Sequence, residues 1–287
     1  MIINSANGAR GAVLVSATTA KKAEPYVAAL VAAGVPAESI RVVASAAMFG
    51  TGATGAMPGT GTTAATAATS ATAAAELAAG AAGLVLCGGA DVDPRRYGEE
   101  TLPGADVEAL PERDALEWEL LAAARDRRLP VWAICRGFQV LNVFFGGSLW
   151  QDLPLQRPTA VVHDPDEAPH ELQIHALRVL APEAPVGERL AAAGPAPRVN
   201  SRHHQGVKRL GEGLLAVAAA EDGLIEAAVL GGGPGGPSAA GAVGAGAADG
   251  DGWWVRGVEW HPENLLALPE QLALWHDFAA ALRVRRD

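Results

Sequence analysis

The strongest constraint on the fold is a regular alternation of short apolar segments with longer amphipathic ones. Gly11–Thr18 has the continuous apolar run of a buried strand, and Lys21–Ala33 has helical periodicity that ends at Gly34. Strands that alternate with helices form a mostly parallel sheet covered by helices on both faces. We therefore predict an α/β fold, a three-layer sandwich with a central mixed, largely parallel sheet of flavodoxin-like layering. The further predicted elements are strands at Ile40–Ala44, Gly83–Cys87 and Val131–Ile134, and helices at Glu112–Arg128, Arg136–Phe145 and Glu270–Val284.

Two segments of low complexity interrupt this alternation. Residues 42–75 carry no charged side chain and are long enough to cross a membrane, but most of them are Gly, Ala or Thr, which offer little transfer energy. The second segment, 231–252, is rich in glycine and has no bulky side chain. We predict a single domain over 1–287 with low-complexity insertions near 45–71 and 231–252. The first insertion is expected to end in an alanine-rich helix at about Thr72–Ala79.

The charge balance excludes several classes of partner. The chain has 22 Lys and Arg residues against 32 Asp and Glu residues, a formal net charge of −10, and no basic patch with interleaved aromatic residues. We therefore expect no nucleic-acid partner and no membrane attachment. Two cysteines cannot staple a chain of 287 residues, so a disulfide scaffold is excluded. The cysteine usage and the absence of a visible secretory signal predict a cytoplasmic protein.

A cysteine at a strand-to-helix turn is the sharpest local signal. In Ala133-Ile-Cys-Arg-Gly137 the predicted strand delivers Cys135 to the turn, and a helix begins at the next residue. Small residues two before and two after the cysteine let strand and helix pack closely, as they do at the nucleophile elbow of hydrolases. A helix N-terminus also favours the thiolate form of a cysteine. Taken alone, the motif is equally compatible with a buried structural cysteine.

A histidine followed by a carboxylate is the second signal. It lies far downstream, in Gly257-Val-Glu-Trp-His-Pro-Glu263, where Pro262 disfavours a helix. In an extended segment, residues two apart point to the same side, so His261 and Glu263 are expected to share a face. A cysteine nucleophile needs this pair, because the imidazole takes the thiol proton and the carboxylate orients the imidazole.

Further motifs accompany these two in a fixed order along the chain. They are Cys87–Glu100, Arg113-Asp114, Ile134–Asn142, Gly146–Leu153, Val199–Lys208, Asp222–Glu226 and Gly257–Glu263. Together, from about Leu84 to Glu263, they resemble the class I glutamine amidotransferase-like superfamily. Within it the chain is most similar to the γ-glutamyl-γ-aminobutyrate hydrolase-like proteins of peptidase family C26. The resemblance implies the class I glutamine amidotransferase fold.

The resemblance also implies roles for individual residues. Cys135 matches the nucleophile, His261 the base and Glu263 the third member of a catalytic triad. Glycines allow the close approach of a backbone to an oxyanion. The residues implied for the oxyanion hole are Gly88, Gly89 and Arg136, through their backbone N–H groups. The residues implied for substrate binding are Gln139, Asn200, Ser201, His203 and Gln205.

The implied function is hydrolysis of a γ-glutamyl amide or peptide bond, of the γ-glutamyl-GABA or γ-glutamyl-polyamine type, through a γ-glutamyl thioester. The expected ligand is a small-molecule γ-glutamyl substrate, with no metal and no organic cofactor, and a homodimer stays open. Two alternatives also stay open. One is a glutaminase subunit that supplies ammonia to a partner synthase, and the other is a non-catalytic binding protein on the same fold.

The charges that follow the glycine pair leave the identity of the leaving amine open. Four carboxylates would favour a cationic amine if two of them faced the mouth of the pocket. Two arginines in the same stretch would instead favour the γ-aminobutyrate conjugate, whose distal group is a carboxylate. We expect the first two carboxylates to be solvated rather than metal ligands. The residues concerned are Asp91, Asp93, Glu99 and Glu100 on one side and Arg95 and Arg96 on the other.

Two motif matches carry no functional prediction. Gly50–Gly55 fits the glycine pattern of dinucleotide-binding loops, but Pro58 and further glycines follow where the required helix should begin. His170–His175 resembles the zinc motif of metalloproteases, but its histidines are five residues apart, which places them on different faces of a helix.

Overall fold

The computed structural model describes residues 11–45, 63–68, 71–231 and 252–284. The strands are β1 (Ala12–Ser16), β2 (Ile40–Ser45), β3 (Thr63–Ala68), β4 (Ala81–Leu86), β5 (Val131–Ile134), β6 (Ser148–Trp150), β7 (His175–Val179), β8 (Arg198–Val199), β9 (Gly206–Arg209), β10 (Leu214–Ala220), β11 (Ile225–Leu230) and β12 (Val255–Val258). The helices are α1 (Ala20–Ala32), α2 (Ala71–Ala79), α3 (Pro111–Arg127), α4 (Arg136–Phe144), α5 (Leu153–Gln156), α6 (Gly187–Ala192) and α7 (Pro269–Val284).

The described strands form a mixed sheet in the order β3-β2-β1-β4-β5-β12-β11-β10-β7-β8. The first six strands are mutually parallel, and the remaining four pair in antiparallel fashion. Off this path, β9 pairs with both β6 and β11. The strands β4, β5 and β12 are therefore neighbours that run in one direction. Their carboxyl ends lie side by side at one edge, where open α/β sheets bind ligands.

Helices cover both faces of this sheet. Alternate residues of a strand point to opposite faces, and in β5 Trp132 and Ile134 lie in one apolar core while Val131 and Ala133 lie in the other. The first core also contains residues of α1, α6 and α7, and the second contains residues of α2, α3 and α4. This arrangement confirms the predicted three-layer α/β fold. Among the described residues, no helix combines the length and the apolar character that crossing a membrane requires.

The predicted elements agree well with the observed ones. The strand Val131–Ile134 is observed with the predicted bounds, and the helix predicted at Arg136–Phe145 is observed one residue shorter. The predicted helix at about Thr72–Ala79 is confirmed as α2.

The prediction of a surface insertion near 45–71 is wrong for residues 63–68, which form β3 beside β2. Backbone hydrogen bonds hold such a strand without large side chains, so the apolar pattern that indicates a strand is absent from its sequence. The rest of that insertion up to residue 70, apart from Ser45, lies outside the described residues. The predicted insertion at 231–252 also lies outside them, apart from its two end residues.

Replacing Gly137 with alanine should destabilise the turn between β5 and α4. A Cβ at this position would lie 2.2 Å from the backbone oxygen of Leu86, so α4 and β4 would have to move apart. Overpacking of this kind costs about 1–3 kcal/mol of unfolding free energy. Urea denaturation measures the loss. Gly80→Ala is the matched control, because a Cβ at Gly80 meets no atom within 4 Å. Equal losses in the two variants would contradict the close approach.

Candidate active site

Three neighbouring strands bring the predicted catalytic segments together. The glycine pair Gly88-Gly89 follows β4, Cys135 follows β5, and His261 lies just beyond β12. A Cβ added to Gly88 would lie 2.8 Å from His261 Cε1 and 3.6 Å from Cys135 Cβ, so the three segments are in contact. Residues that are 47 and 126 positions apart in the chain (135 minus 88, and 261 minus 135) meet because parallel strands end at the same edge.

Cys135 adopts the strained turn that the sequence predicts. Its backbone has φ 53° and ψ −116°, a conformation that favours glycine. For any other residue this conformation costs on the order of 1–3 kcal/mol. Its N–H donates to Val258 O at 2.8 Å, which ties the turn to β12. Helix α4 begins at the next residue, so the Cys135 thiol lies at a helix N-terminus. The residue as a whole is only 5% exposed. The turn therefore has the geometry of a nucleophile elbow.

His261 and Glu263 form a hydrogen-bonded pair. His261 Nδ1 lies 2.6 Å from Glu263 Oε1. The predicted extended segment is wrong, since Pro262–Asn264 is a turn of 3-10 helix; proline is accepted at the first position of such a turn. Burial alone would lower the pKa of His261, but the charges of Glu263 and Cys135 outweigh it and raise the pKa well above its usual value. The pair thus favours a protonated imidazole beside the sulfur.

Two backbone amides point to an oxyanion site, and a third is already engaged. The N–H of Gly88 donates to the hydroxyl of Tyr26 at 3.0 Å. The N–H groups of Gly89 and Arg136 have no hydrogen-bond partner within the described part of the chain. An oxyanion formed at Cys135 therefore has Gly89 and Arg136 as available donors, whereas Gly88 contributes space for the imidazole rather than a free donor.

Arg113 holds the glycine loop by its backbone carbonyls. Its guanidinium donates to Cys87 O at 2.8 Å and to Gly88 O at 3.1 Å. A Cβ on Gly89 would lie only 2.0 Å from the Arg113 guanidinium, and Gly89 has φ +154°. Within one peptide unit the C=O and the N–H point in opposite directions, so binding the Gly88 carbonyl directs the Gly89 N–H away from Arg113. Arg113 is therefore a positioning residue for the loop.

Arg113 belongs to a buried network of four charges. Glu117 accepts from Arg113 Nε at 2.9 Å and from Ser16 Oγ at 2.7 Å, and it also binds Arg136, which binds Asp114 as well. All four charged side chains are at most 1% exposed. Burial opposes ionisation of Glu117, but Arg113 and Arg136 outweigh it and hold its pKa below the usual value. Two cations and two anions compensate each other here.

Another buried carboxyl interacts electrostatically with Cys135. Glu259 is fully buried, and its Oε1 accepts from Gln139 Nε2 at 2.5 Å. Burial, together with the negative charges of Cys135 and Glu226, raises the pKa of Glu259 well above its usual value. A carboxyl that keeps its proton avoids placing another negative charge beside the sulfur. Gln139, implied to lie against the substrate, is here buried and engaged with Glu259.

The other residues implied for substrate binding lie in one segment, which contacts the backbone of His261. Asn200 donates to His261 O at 3.0 Å and accepts from His261 N at 2.9 Å, so it fixes the backbone of the residue that carries the imidazole. Gln205 donates to Gln151 O at 3.1 Å. Ser201 bonds to His163 O, and His203 lies in a cluster of histidines. All four residues are at least 96% buried, so their direct contact with substrate stays a prediction.

The acidic stretch after the glycine pair is not the solvated patch that we expected. Asp91 and Asp93 are each only 7% exposed, because their carboxylates are engaged inside the protein. Asp91 bonds to His204 at 2.9 Å and to the N–H of Glu108, while Asp93 forms a salt bridge with Arg95. Glu99 binds Lys208 at 2.9 Å. Three of the four carboxylates therefore have cationic or histidine partners, and the prediction of a negative pocket mouth loses its basis.

Comparison with known proteins assigns the chain to a family. The model of the peptidase C26 family matches residues 53–233, more than half of the chain. The chain therefore belongs to the peptidase C26 family, as the resemblance of its motifs predicts. A likeness in structure confirms the fold: a glutamine amidotransferase from Thermotoga maritima superposes with a TM-score of 0.51 at 12% identity, covering 96% of this chain and 99% of that one.

Two curated relatives show how far the similarity extends. The glutamine amidotransferase-like protein YvdE of Lactococcus lactis is 43% identical over 148 residues, which cover 50% of this chain and 58% of that protein. Gamma-glutamyl-gamma-aminobutyrate hydrolase PuuD of Escherichia coli K12 is 35% identical over 178 residues, covering 61% of this chain and 60% of that protein. The chain thus spans about half to two thirds of the length of the curated relatives that it matches.

The contacts of three residues in the site could not be predicted from the sequence. Tyr26 and Glu259 carry no pattern of their own, because one lies in the helical stripe of α1 and the other at the end of a strand. Arg113 is part of a motif that supports the family resemblance, yet its motif gives no contact partner. A charged residue in the first turn of a helix is more often solvent-exposed than buried, so only the three-dimensional structure reveals its role.

Replacing Glu263 with glutamine should lower the pKa of His261. The amide removes the negative charge that helps to raise this pKa, so the imidazole loses its proton at lower pH. A pH titration followed by NMR of the imidazole C–H protons measures the shift, and the spectrum of His261→Ala assigns the signal. Glu119→Gln, which changes an exposed acid on α3, is the matched control. An unchanged pKa in Glu263→Gln would contradict the electrostatic coupling.

Proposed function

We propose that this protein is a cysteine-dependent hydrolase that cleaves a γ-glutamyl amide or peptide bond through a γ-glutamyl thioester. The observation that carries the proposal is the convergence of Cys135, the His261–Glu263 pair and two unpaired amides at one edge of the sheet. The substrate class rests on the names of relatives such as PuuD, so it is part of the proposal.

The first half of the reaction forms the thioester. The Cys135 thiolate attacks the γ-carbonyl carbon of the substrate, and the carbonyl oxygen takes the negative charge opposite the N–H groups of Gly89 and Arg136. The C–N bond then breaks, and the imidazolium of His261 gives its proton to the leaving amine. Glu263 keeps the imidazole oriented and stabilises its charged form throughout.

The second half releases the glutamyl group. His261, now neutral, takes a proton from a water molecule, and the resulting hydroxide attacks the thioester carbon. A second oxyanion forms against the same two amides. The C–S bond breaks, the free γ-carboxyl group of the product gives its proton to the solvent, and Cys135 returns as the thiolate beside the protonated imidazole. One water is consumed for each bond that is cleaved.

The second candidate is a glutaminase subunit that supplies ammonia to a partner synthase. The name of YvdE, a glutamine amidotransferase-like protein, favours this candidate. Its chemistry is the same except that the leaving amine is ammonia. The two candidates differ in the substrate that is turned over fastest, and a partner protein would stimulate only the glutaminase.

A substrate panel with mass spectrometry tests the proposed chemistry. We expect free glutamate from γ-glutamyl amides and, after an acid quench, protein that carries one additional glutamyl group on Cys135. Cys135→Ala should lose at least about 10³-fold in kcat/KM, and His261→Ala should lose more than Glu263→Gln because it removes the base itself. His276→Ala, an exposed histidine of α7, is the control. Turnover that survives in Cys135→Ala would remove the mechanism, and fast release of ammonia from glutamine would select the glutaminase.

A change of salt concentration should hardly alter the preference between leaving groups. The carboxylates expected at the pocket mouth are mostly engaged by cations or histidines, so little uncompensated charge remains for salt to screen. The measurement is the ratio of kcat/KM for γ-glutamyl-putrescine and γ-glutamyl-γ-aminobutyrate at low and high salt. We expect the ratio to change by less than about threefold. A large, salt-sensitive preference for putrescine would restore the negative pocket mouth.

A further inference from the structure

Four buried side chains from separate segments meet in a cluster outside the triad. His163, His175, His203 and Glu226 are each at most 6% exposed, and one nitrogen or oxygen of each lies within 4.8 Å of those of the others. His175 begins β7 and Glu226 lies in β11, while His163 and His203 lie in the connecting segments. We call this group the histidine cluster.

The polar atoms of the cluster face each other without bonding. Glu226 Oε1 lies 3.5 Å from His163 Nδ1, 3.7 Å from His175 Nε2 and 3.6 Å from His203 Nε2. An N–H···O hydrogen bond is normally about 2.7–3.2 Å long. Among the described residues, none of these four atoms has a hydrogen-bond partner, and neither does Glu226 Oε2. Unbonded polar groups at this depth are costly unless something satisfies them.

The outer nitrogen of each imidazole is already engaged. His163 Nε2 lies 3.1 Å from Asp222 Oδ2, His203 Nδ1 lies 2.8 Å from Gln205 O, and His175 Nδ1 lies 3.4 Å from the carbonyl oxygen of Ala176. Because oxygen accepts the proton in each contact, the ring nitrogen that faces the cluster is left with a lone pair. Carboxylate and carbonyl partners of this kind orient the histidines of metal sites.

Three nitrogen lone pairs and a carboxylate therefore converge on one point. A single added proton would satisfy only one of the three nitrogens. A divalent cation at the centre would satisfy all of them and compensate the buried charge of Glu226. From this geometry we infer that the histidine cluster binds one Zn²⁺ ion, held by His163 Nδ1, His175 Nε2, His203 Nε2 and a Glu226 oxygen.

The size and chemistry of the cluster fit zinc. Ligands about 2.0–2.1 Å from a tetrahedral Zn²⁺ are about 3.3–3.4 Å apart. The separations from Glu226 Oε1 are 3.5–3.7 Å, and all four ligand atoms lie within 4.8 Å of one another, so the imidazoles would have to move inward to close the shell. Imidazole nitrogen and carboxylate oxygen are both accepted by zinc. A cavity of about 320 Å³ has His163 and His203 in its lining, so it borders the cluster.

The role of this ion is structural, since four protein ligands leave no position for a substrate. It would join β7 and β11 to the segment that contains His203. Asn200 in the same segment holds the backbone of His261, so the ion would stabilise the support of the base without touching the reaction. The sequence predicted no metal because these ligands occur at spacings that match no zinc motif.

Zinc binding to the tag-free protein tests the inference. Chelator-treated protein is dialysed against Zn²⁺ and its bound zinc is measured by mass spectrometry, while Co²⁺ replaces zinc to report the coordination. We expect one equivalent of zinc, a higher Tm on zinc addition, and the intense visible absorption of four-coordinate Co²⁺. His175→Ala and Glu226→Gln should each weaken binding by on the order of 100-fold or more, since losses of second-shell partners alone cost 10–100-fold.

Two controls separate this site from other zinc-binding groups. Cys135→Ala should keep the zinc, which excludes binding by the catalytic triad and makes the result independent of the proposed hydrolase. His276→Ala should also keep it. Absence of stoichiometric zinc in the wild-type protein would overturn the inference and leave a protonated histidine as the partner of Glu226. Zinc retained by His175→Ala and Glu226→Gln would place the site elsewhere. If either variant fails to fold, the Co²⁺ spectrum of the wild type still decides.

Discussion

The buried network of Arg113, Asp114, Glu117 and Arg136 is the interaction on which the site depends. Four charges can lie inside the protein only if each is paired, and removing one partner of a buried pair typically costs about 3–5 kcal/mol. The pairing also affects geometry, because the guanidinium of Arg113 donates hydrogen bonds to the backbone carbonyls of Cys87 and Gly88 and so fixes the loop before Gly89. Arg136 is the first residue of α4, directly after Cys135. The network thus sets the distance between the glycine loop and the elbow.

The topology of the sheet provides the rest of the alignment. The glycine loop, the cysteine and the histidine come from three adjacent parallel strands, so rigid backbone rather than mobile loops determines where they begin. Only short segments remain to be positioned. Tyr26 anchors one of them from α1, and Asn200 anchors another by bonding both backbone polar groups of His261.

Local patterns were enough to predict four of the six described parallel strands, β1, β2, β4 and β5, together with the elbow and the His261–Glu263 pair. Each of these is a feature of a few consecutive residues. The strand β3 was missed because its Ala and Thr residues lack the apolar pattern, although backbone bonding holds it beside β2. Arg113, Tyr26 and the histidine cluster were missed for another reason. Their contacts join residues that are far apart in the chain, and no local spacing encodes such contacts. Examples are Arg113–Gly88, Gly88–Tyr26 and His163–Glu226, which are 25, 62 and 63 positions apart.

The positive φ of Cys135 has a consequence for how such proteins diverge. Glycine would occupy this turn without strain, so a side chain at position 135 lowers stability and is retained only where its sulfur is useful. A chain on the same fold that merely binds a ligand has no use for a residue that lowers its stability in this way. A single substitution of the cysteine by glycine would relax the turn. The conformation at position 135 is therefore the feature by which the proposed catalyst would differ from an inactive relative on the same fold, whatever the substrate.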